Sequence, residues 1–448
     1  MKFYNPAMAY LIFYSVFIVF LGLTNLYVYK KLLQKMVLLQ YVGGLAGFMV
    51  LGLFIAQLVF LFASTSSRLH LGTSIYKILS LSYAPTYVLF GITLLFECLN
   101  IALALIGKPH KSHSPYLFFL YTYGIVCILI FLLFIGIYKA IFKASQFNLD
   151  ISLLDYVNVL AFATLVSLAL MNKQEIKNQF YPLFDLAFLV LVIYFSAIIA
   201  HNALEIPAIK KVQVEIPGLK QDLKIAMLTD MHLDPNLHEK FLNGIIKKVN
   251  AQRVDTVVIV GDLVDTNPKN LEGYISKLDD LKSTYGTFYA VGNHEYYHGL
   301  SSVLNLLKTH THMKILFNSS VDMGPLNIAG LADLAGLRWG GEYAPSLPKT
   351  TKHLNKDKPS ILLTHEPRAA LIYDLKDFDL VLSGHTHGGQ VFPFMFLAKW
   401  RQGFIHGLYS LSPKTKIYVS SGVGFWGPAM RAFAKSEIVI LNLKRESK

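Results

Sequence analysis

Cysteine is nearly absent from this 448-residue chain: Cys98 and Cys127 are the only two, and both sit inside apolar runs. They can build neither a disulfide framework nor a cysteine-type zinc site. Charge is scarce as well, at 15% of residues, where an ordinary soluble protein carries about 25%. The scarcity is local. No Asp, Glu, Lys or Arg occurs from 3 to 29, from 36 to 67 or from 112 to 138. Each of these runs exceeds the roughly 20 residues needed to cross a bilayer. An Arg-rich stripe is also lacking in the second half, despite a formal net charge of +13. Composition therefore gives no nucleic-acid footprint.

What is present divides the chain in two. Apolar spans are expected near 8–29, 41–64, 84–106, 115–140, 153–171 and 183–203. The fifth is the weakest, with 17 uncharged residues between Asp155 and Lys173. Residues 1–205 thus read as a multi-pass transmembrane domain of five or six helices, and 213–448 as a soluble domain. With six spans, Lys and Arg divide seven against seven between the two sides. Positive charge therefore does not choose the side of the soluble half. Glu97 falls within the third span and is expected to be protonated or hydrogen-bonded to a neighbouring helix.

The soluble half alternates strands with helices, which predicts an α/β layered domain. Strands are expected at 223–230, 256–262 and 287–293, with helices near 236–250 and 270–283. More strands follow in 314–331, then an excursion over 332–358, strands at 361–365 and 379–382, and about three strands in 403–444. Ligands of such sheets sit beyond the carboxyl ends of strands, where Asp230, Asp262 and Asn293 fall. Asp230-Met-His232 and His385-Thr-His387 each put two donors on one face of an extended chain. Glycines precede Asp262, Asn293 and His385 and let the backbone turn and something approach closely. His365 ends another strand. These donors give each of two metals three or four ligands, provided Asp262 bridges. Carboxylate and imidazole suit Mn, Fe or Zn better than Mg or Ca. Two such ions about 3.5–4 Å apart can clamp the attacking and leaving oxygens of a phosphoryl centre.

Asp230-x-His232, Gly261-Asp262, Gly292-Asn293-His294-Glu295, His365 and Gly384-His385-x-His387 stand in the order that resembles the calcineurin-like metallophosphoesterases. The resemblance covers roughly 222–444. Gly388-Gly389-Gln390 and the later Gly424, Pro428 and Arg431 further resemble the bacterial YkuE/YaeI-like branch, which is typically membrane-anchored. The resemblance implies a four-layer αββα metallophosphoesterase domain following the multi-span α-helical membrane domain, in a bacterial inner membrane. It implies two divalent metal ions, Mn first and Fe or Zn next. One would be held by Asp230, His232, Asp262 and His387, the other by Asp262, Asn293, His365 and His385. His294 would be the catalytic residue that does not ligate, contacting the phosphate and protonating the leaving oxygen. Arg431 is a candidate phosphate contact. Asp265 and Glu295 are expected to support ligands or cap turns. His298, His310, His312, His353 and His406 match no motif and are expected on the surface or in structural roles.

The stretch from Val391 to Arg401 is strongly apolar and ends in Lys399-Trp400-Arg401. Trp and basic residues favour a membrane interface. Phe394 and Phe396 are therefore candidate substrate contacts, on a lip that rests on the bilayer. A lipid-linked phosphoester or pyrophosphate is the expected substrate, since members resembling this branch include a UDP-2,3-diacylglucosamine pyrophosphatase. A general phosphodiesterase or phosphatase for soluble nucleotides or envelope polymers is the alternative. A non-catalytic membrane sensor is the third reading, and the complete ligand set weighs against it.

Overall fold

The computed structural model describes residues 6–41, 44–65, 71–106 and 181–446. They form two compact units that meet along the chain between Ala200 and His201. The spans expected at 115–140 and 153–171 lie outside the described residues.

The first unit contains helices α1 (Pro6–Lys31), α2 (Leu45–Thr65), α3 (Thr73–Leu81), α4 (Tyr83–Ile106) and most of α5 (Tyr181–Leu204). Among the described residues, four stretches are long and apolar enough to cross a membrane: Tyr14–Lys35, Leu45–Ser64, Ser74–Leu95 and Asp185–Leu204. Polar side chains in such helices need partners, because hydrocarbon supplies none. Asn25 donates to Gln57 (2.9 Å), Gln57 to Thr86 (2.7 Å) and Thr86 back to Asn25 (3.2 Å). This closed ring ties α1, α2 and α4 together. Glu97 also finds its partner on a neighbouring helix, accepting from Lys31 at 3.3 Å.

The second unit carries two six-stranded sheets. The first comprises β1 (Ala208–Ile216), β2 (Leu223–Leu228), β3 (Thr256–Val260), β4 (Thr287–Ala290), β5 (Lys314–Ile315) and β12 (Glu437–Arg445), in the order β1-β12-β2-β3-β4-β5. The second comprises β6 (Ser319–Asp322), β7 (Asn327–Gly330), β8 (Ser360–Leu363), β9 (Leu380–Ser383), β10 (Gly407–Ser410) and β11 (Lys416–Val419), in the order β10-β11-β9-β8-β7-β6. Strand β3 shows why the layers form. All five of its residues are buried, as the continuous apolar run of a strand covered on both faces requires. Val257 and Ile259 face the outer helices, while Val258 and Val260 face the second sheet. Helix α6 (Pro235–Asn250) covers the first sheet with Leu242, Ile245 and Val249, and α8 (Leu300–His310) with Leu300, Val303 and Leu307. These spacings of three and four residues make one helical face. On the far side, Leu362, Val381 and Ile417 of the second sheet meet Leu334, Ala369 and Phe378. The result is the four-layer αββα sandwich.

Three local expectations change. The helix expected at 270–283 is a series of short turns from Pro268 to Asp280. Helix α8 was not expected. The apolar stretch after Gly388-Gly389 is a helix, α9 (Phe394–Gln402). Between β4 and α8 lies α7 (Asn293–Tyr297), which carries part of the site.

Candidate metal centre

Each candidate ligand follows a strand end closely. Asp230 follows β2, Asp262 follows β3, Asn293 follows β4, His365 follows β8, and His385 and His387 follow β9. The turns that aim them are unusual. Asp230, His232, Asp262, His385 and His387 have φ of 52°, 45°, 48°, 68° and 49°. Left-handed backbone is uncommon for residues with a side chain and costs about 1–3 kcal/mol each. Five such residues converge here, so the surrounding sheets hold a conformation the local chain disfavours. Gly384 must be glycine, because a Cβ there would run into the Thr229 and Asp230 side chains.

The donors form overlapping groups, in which His232 and Asp262 also meet His294, and Asp265 meets His294 and His298. Asp230, His232 and His387 converge in one, and Asp262, His365 and His385 in another, each within 4.8 Å. In the first, His387 Nε2 lies 3.1 Å from His232 Nε2 and 3.3 Å from Asp230 Oδ1. In the second, His365 Nε2 lies 3.0 Å from Asp262 Oδ2, and His385 Nδ1 lies 2.8 Å from Asn293 Oδ1. Asp262 Oδ2 is also 3.9 Å from His232 Nε2, so Asp262 adjoins both groups. His365 tests whether the set fits cations. Its Nδ1 lies 2.8 Å from the Val260 carbonyl, which only accepts, so that nitrogen carries the proton. Its Nε2 is buried against a carboxylate oxygen of Asp262, and although burial would lower the ring's pKa, Asp262 and Asp230 hold it well above its ordinary value, so this point of the site calls for positive charge. The donor set and its geometry therefore fit divalent metal ions.

The signature of the calcineurin-like phosphoesterase family matches residues 223–389. A metallophosphoesterase of Campylobacter jejuni, Cj0846, is 49% identical over 98% of this chain and 99% of its own length. The chain belongs to the calcineurin-like phosphoesterase family. A metallophosphoesterase of Bacillus subtilis, YkuE, is 31% identical over 51% of this chain and 82% of its own length. A transmembrane protein with metallophosphoesterase domain from Danio rerio is 34% identical over 57% of this chain and 62% of its own length. The chain is thus a metal-dependent phosphoester hydrolase, and its apolar helices associate it with a membrane.

In this phosphoesterase, His294 stands beside the donors. Its Nδ1 lies 2.7 Å from Asp265 Oδ1, and its backbone N–H donates to Asp262 Oδ1 at 2.9 Å. Its ring packs edge-on against His232, with centroids 4.6 Å apart. Burial alone would lower the His294 pKa, but Asp262 and Asp265 outweigh it and carry the pKa up to about 9. The ring is then protonated at neutral pH, as a general acid must be. Burial would raise the Asp265 pKa, but His294, His232 and His298 hold it well below the usual carboxylate range. His298, matched to no motif, is thus part of the support, 3.5 Å from Asp265. Glu295 is fully buried and accepts four backbone N–H groups: Leu263 (2.8 Å), Val264 (3.3 Å), Asp262 (3.1 Å) and Gly292 (2.6 Å). One carboxylate therefore clamps the turn after β3 to the start of α7.

Arg431 requires a correction. It is completely buried, and its five N–H groups go to the carbonyls of His387, Ser421, Ala434 and, twice, Gly424. No donor is left for a phosphate. Burial brings its pKa down to about 10, so it stays charged at neutral pH. One of its nitrogens lies 3.1 Å from His387 Nδ1. Burial, His232 and Arg431 together push the His387 pKa well down, favouring the neutral form that ligates metals. Arg431 thus positions a donor instead of touching substrate. Phe394 and Phe396 lie on the outer face of α9, 53% and 41% exposed. Sequence reasoning missed Glu437, a buried carboxylate that gathers His406, Tyr418, Ser420 and Ser421. No local pattern announces it, because its four partners lie 16 to 31 residues away.

Proposed function

We propose that this membrane-associated phosphoesterase cleaves a phosphodiester or pyrophosphate bond of a lipid-linked substrate, with UDP-2,3-diacylglucosamine the first compound to test. The chemistry rests on one observation above all, the convergence of Asp230, His232 and His387 and of Asp262, His365 and His385 into groups whose donor atoms lie within 4.8 Å of one another. Asp230, His232, Asp262 and His387 would hold one ion, and Asp262, Asn293, His365 and His385 the other. Divalent ions bound there, Mn foremost with Fe or Zn as alternatives, neutralise phosphate charge and activate water at neutral pH. Asn293 adds a donor without adding negative charge, which eases entry of an anionic phosphate. His294, steered by Asp265, gives its proton to the leaving oxygen. Glu295 and Arg431 keep Asp262 and His387 in place.

The lipid-linked part is supported by the apolar helices and by the exposed Phe394 and Phe396 on the helix that follows the His385–His387 turn. A nucleotide-bearing lipid would require the catalytic unit on the cytoplasmic face of a bacterial inner membrane. The test is release of UMP from UDP-2,3-diacylglucosamine by purified full-length protein with Mn²⁺, with a D262N/H294A variant as control. Turnover absent from the control supports the whole reading. Cleavage of a generic phosphodiester without UMP release keeps the dimetal chemistry and discards this lipid. The substrate is then a soluble nucleotide or an envelope phosphoester.

A further inference from the structure

Helix α9 turns most of its apolar side chains outward. A helix on a soluble domain buries its apolar side. This one does the reverse. Met395 and Gln402 are buried, while Phe394, Phe396, Leu397 and Trp400 are 53%, 41%, 53% and 82% exposed. Arg401 shares the exposed face. The helix is firmly seated. Gly389 lies so close to Met395 that a Cβ would overlap it, and the Gln402 amide donates to Glu366 at 3.1 Å. Exposure of the four apolar side chains is therefore built in.

The exposed face continues onto the loop that precedes β12. Phe433 is 74% exposed, and its ring centroid is 6.0 Å from that of Phe392, which is 6.0 Å from that of Phe396. Trp426 is 50% exposed, and the Gln390 side chain bonds its backbone N–H (2.9 Å) and carbonyl (2.7 Å). Six large apolar side chains thus sit on two segments joined at the glycine turn that follows the metal donors.

Two observations identify what covers this face. The last turn of α5 belongs to the same unit, and its Ala203 packs against Phe425 and Ala429. The loop that displays Trp426 and Phe433 is therefore in contact with the C-terminal end of α5. Charge gives the second. No Asp or Glu occurs between Asp379 and Glu437, while Lys399, Arg401, Lys414, Lys416 and Lys435 do, besides the buried Arg431. An apolar face with Trp beside Lys and Arg and without acids has the composition of an interfacial membrane helix.

We propose that α9 and the 425–433 loop form a membrane-binding face, which docks the mouth of the catalytic unit on the anionic surface of the leaflet at which α5 ends. This deepens the lipid-linked reading above and rests on it for the purpose of the docking. The substrate class it implies is an amphiphile whose phosphate is presented at the level of that leaflet's headgroups. Trp400 would lie at the boundary of headgroups and acyl chains, with Arg401 reaching lipid phosphates.

The chain has three tryptophans, 339, 400 and 426, so W339F/W426F leaves Trp400 as the sole reporter. The experiment places this full-length variant in nanodiscs containing about one-third anionic lipid, with either ordinary or dibrominated acyl chains. The expected result is a blue-shifted Trp400 emission that brominated lipid quenches about twofold or more. W339F/W400F, which reports from Trp426, should behave alike, and guards against a local disturbance in one variant. Emission typical of water and unchanged by brominated lipid in both variants overturns the proposal. The readout does not depend on hydrolysis. Quenching without UMP release leaves the docking face standing and discards the substrate, whereas UMP release without quenching discards the face alone.

Discussion

Replacing Glu295 with Gln changes almost no volume and isolates what one carboxylate does. In the wild-type protein Oε1 accepts from Leu263 and Val264, and Oε2 from Asp262 and Gly292. An amide can present an oxygen to only one of these pairs. Its NH₂ must face the other pair, so two backbone donors lose their acceptor in a fully buried place. Hydrogen bonds to a charged group contribute about 1.5–3 kcal/mol each, which puts the loss at roughly 3–6 kcal/mol. A domain's whole stability is about 5–15 kcal/mol. In a domain of this size each kcal/mol moves the melting midpoint by about 2–4 °C, so E295Q should melt roughly 6–24 °C lower. If the loops relax to recover the bonds, the penalty moves to Asp262, and metal content and kcat fall instead. The assay is thermal unfolding of the detergent-solubilised protein, with metal analysis and turnover of a nitrophenyl phosphodiester on the same sample. An E295Q protein that keeps its midpoint within about 2 °C, its metal and its activity would refute the reasoning.

H294Q should retain its metal and lose about 10²–10⁴ in rate, more with an alkyl than with a nitrophenyl leaving group; an equal loss on both would remove His294 as the acid. The His294 pKa is raised to about 9, so its proton is present below that pH and lost above it. D265N takes away one of the charges that raises it and should shift the alkaline limb of the alkyl-ester pH profile to lower pH, which rate measurements from pH 6 to 10 would show. Burial would raise the Glu437 pKa, but His406, Ser420 and the Ser421 N–H bring it below its usual value. Its stabilisation is therefore complete above the ordinary Glu range and fades as pH falls through the depressed value. E437Q should cost about 2–4 kcal/mol at pH 7 by urea unfolding, with the gap from wild type shrinking toward pH 3. Dialysis against EDTA should abolish hydrolysis and lower the midpoint, since a ligand present at about 1,000 times its Kd adds about 4 kcal/mol; Mn²⁺ should restore both, and activity that survives chelation would count against the metal assignment.

The strands were legible because β2, β3, β4, β8 and β9 are apolar runs buried on both faces and bounded by polar residues. Their lengths also located Asp230, Asp262, Asn293, His365 and His385 just beyond their ends. Helix α8 could have been found from Leu300, Val303 and Leu307, whose spacing is helical. It lay hidden behind the Gly-rich, His-rich stretch that opens it. Arg431 misled because an Arg near a glycine turn looks the same whether it faces solvent or backbone. Only the fold shows Ser421, Gly424 and His387 closing around it. Helix α9 misled for the opposite reason: its apolar residues obey no inward-facing period, since most of them point out.

Strand β1 is the first element of the catalytic unit after the last apolar helix, and within its sheet it pairs only with β12, the last strand. As the chain is made, β1 therefore has no strand partner until every candidate ligand has been synthesised. β12 then enters between β1 and β2, parallel to one and antiparallel to the other, and brings Glu437 beneath the Ser420–Ser421 turn. Contacts so distant in sequence form slowly. The Ser420–Ser421 turn thus receives its buried carboxylate only once the last strand has been made.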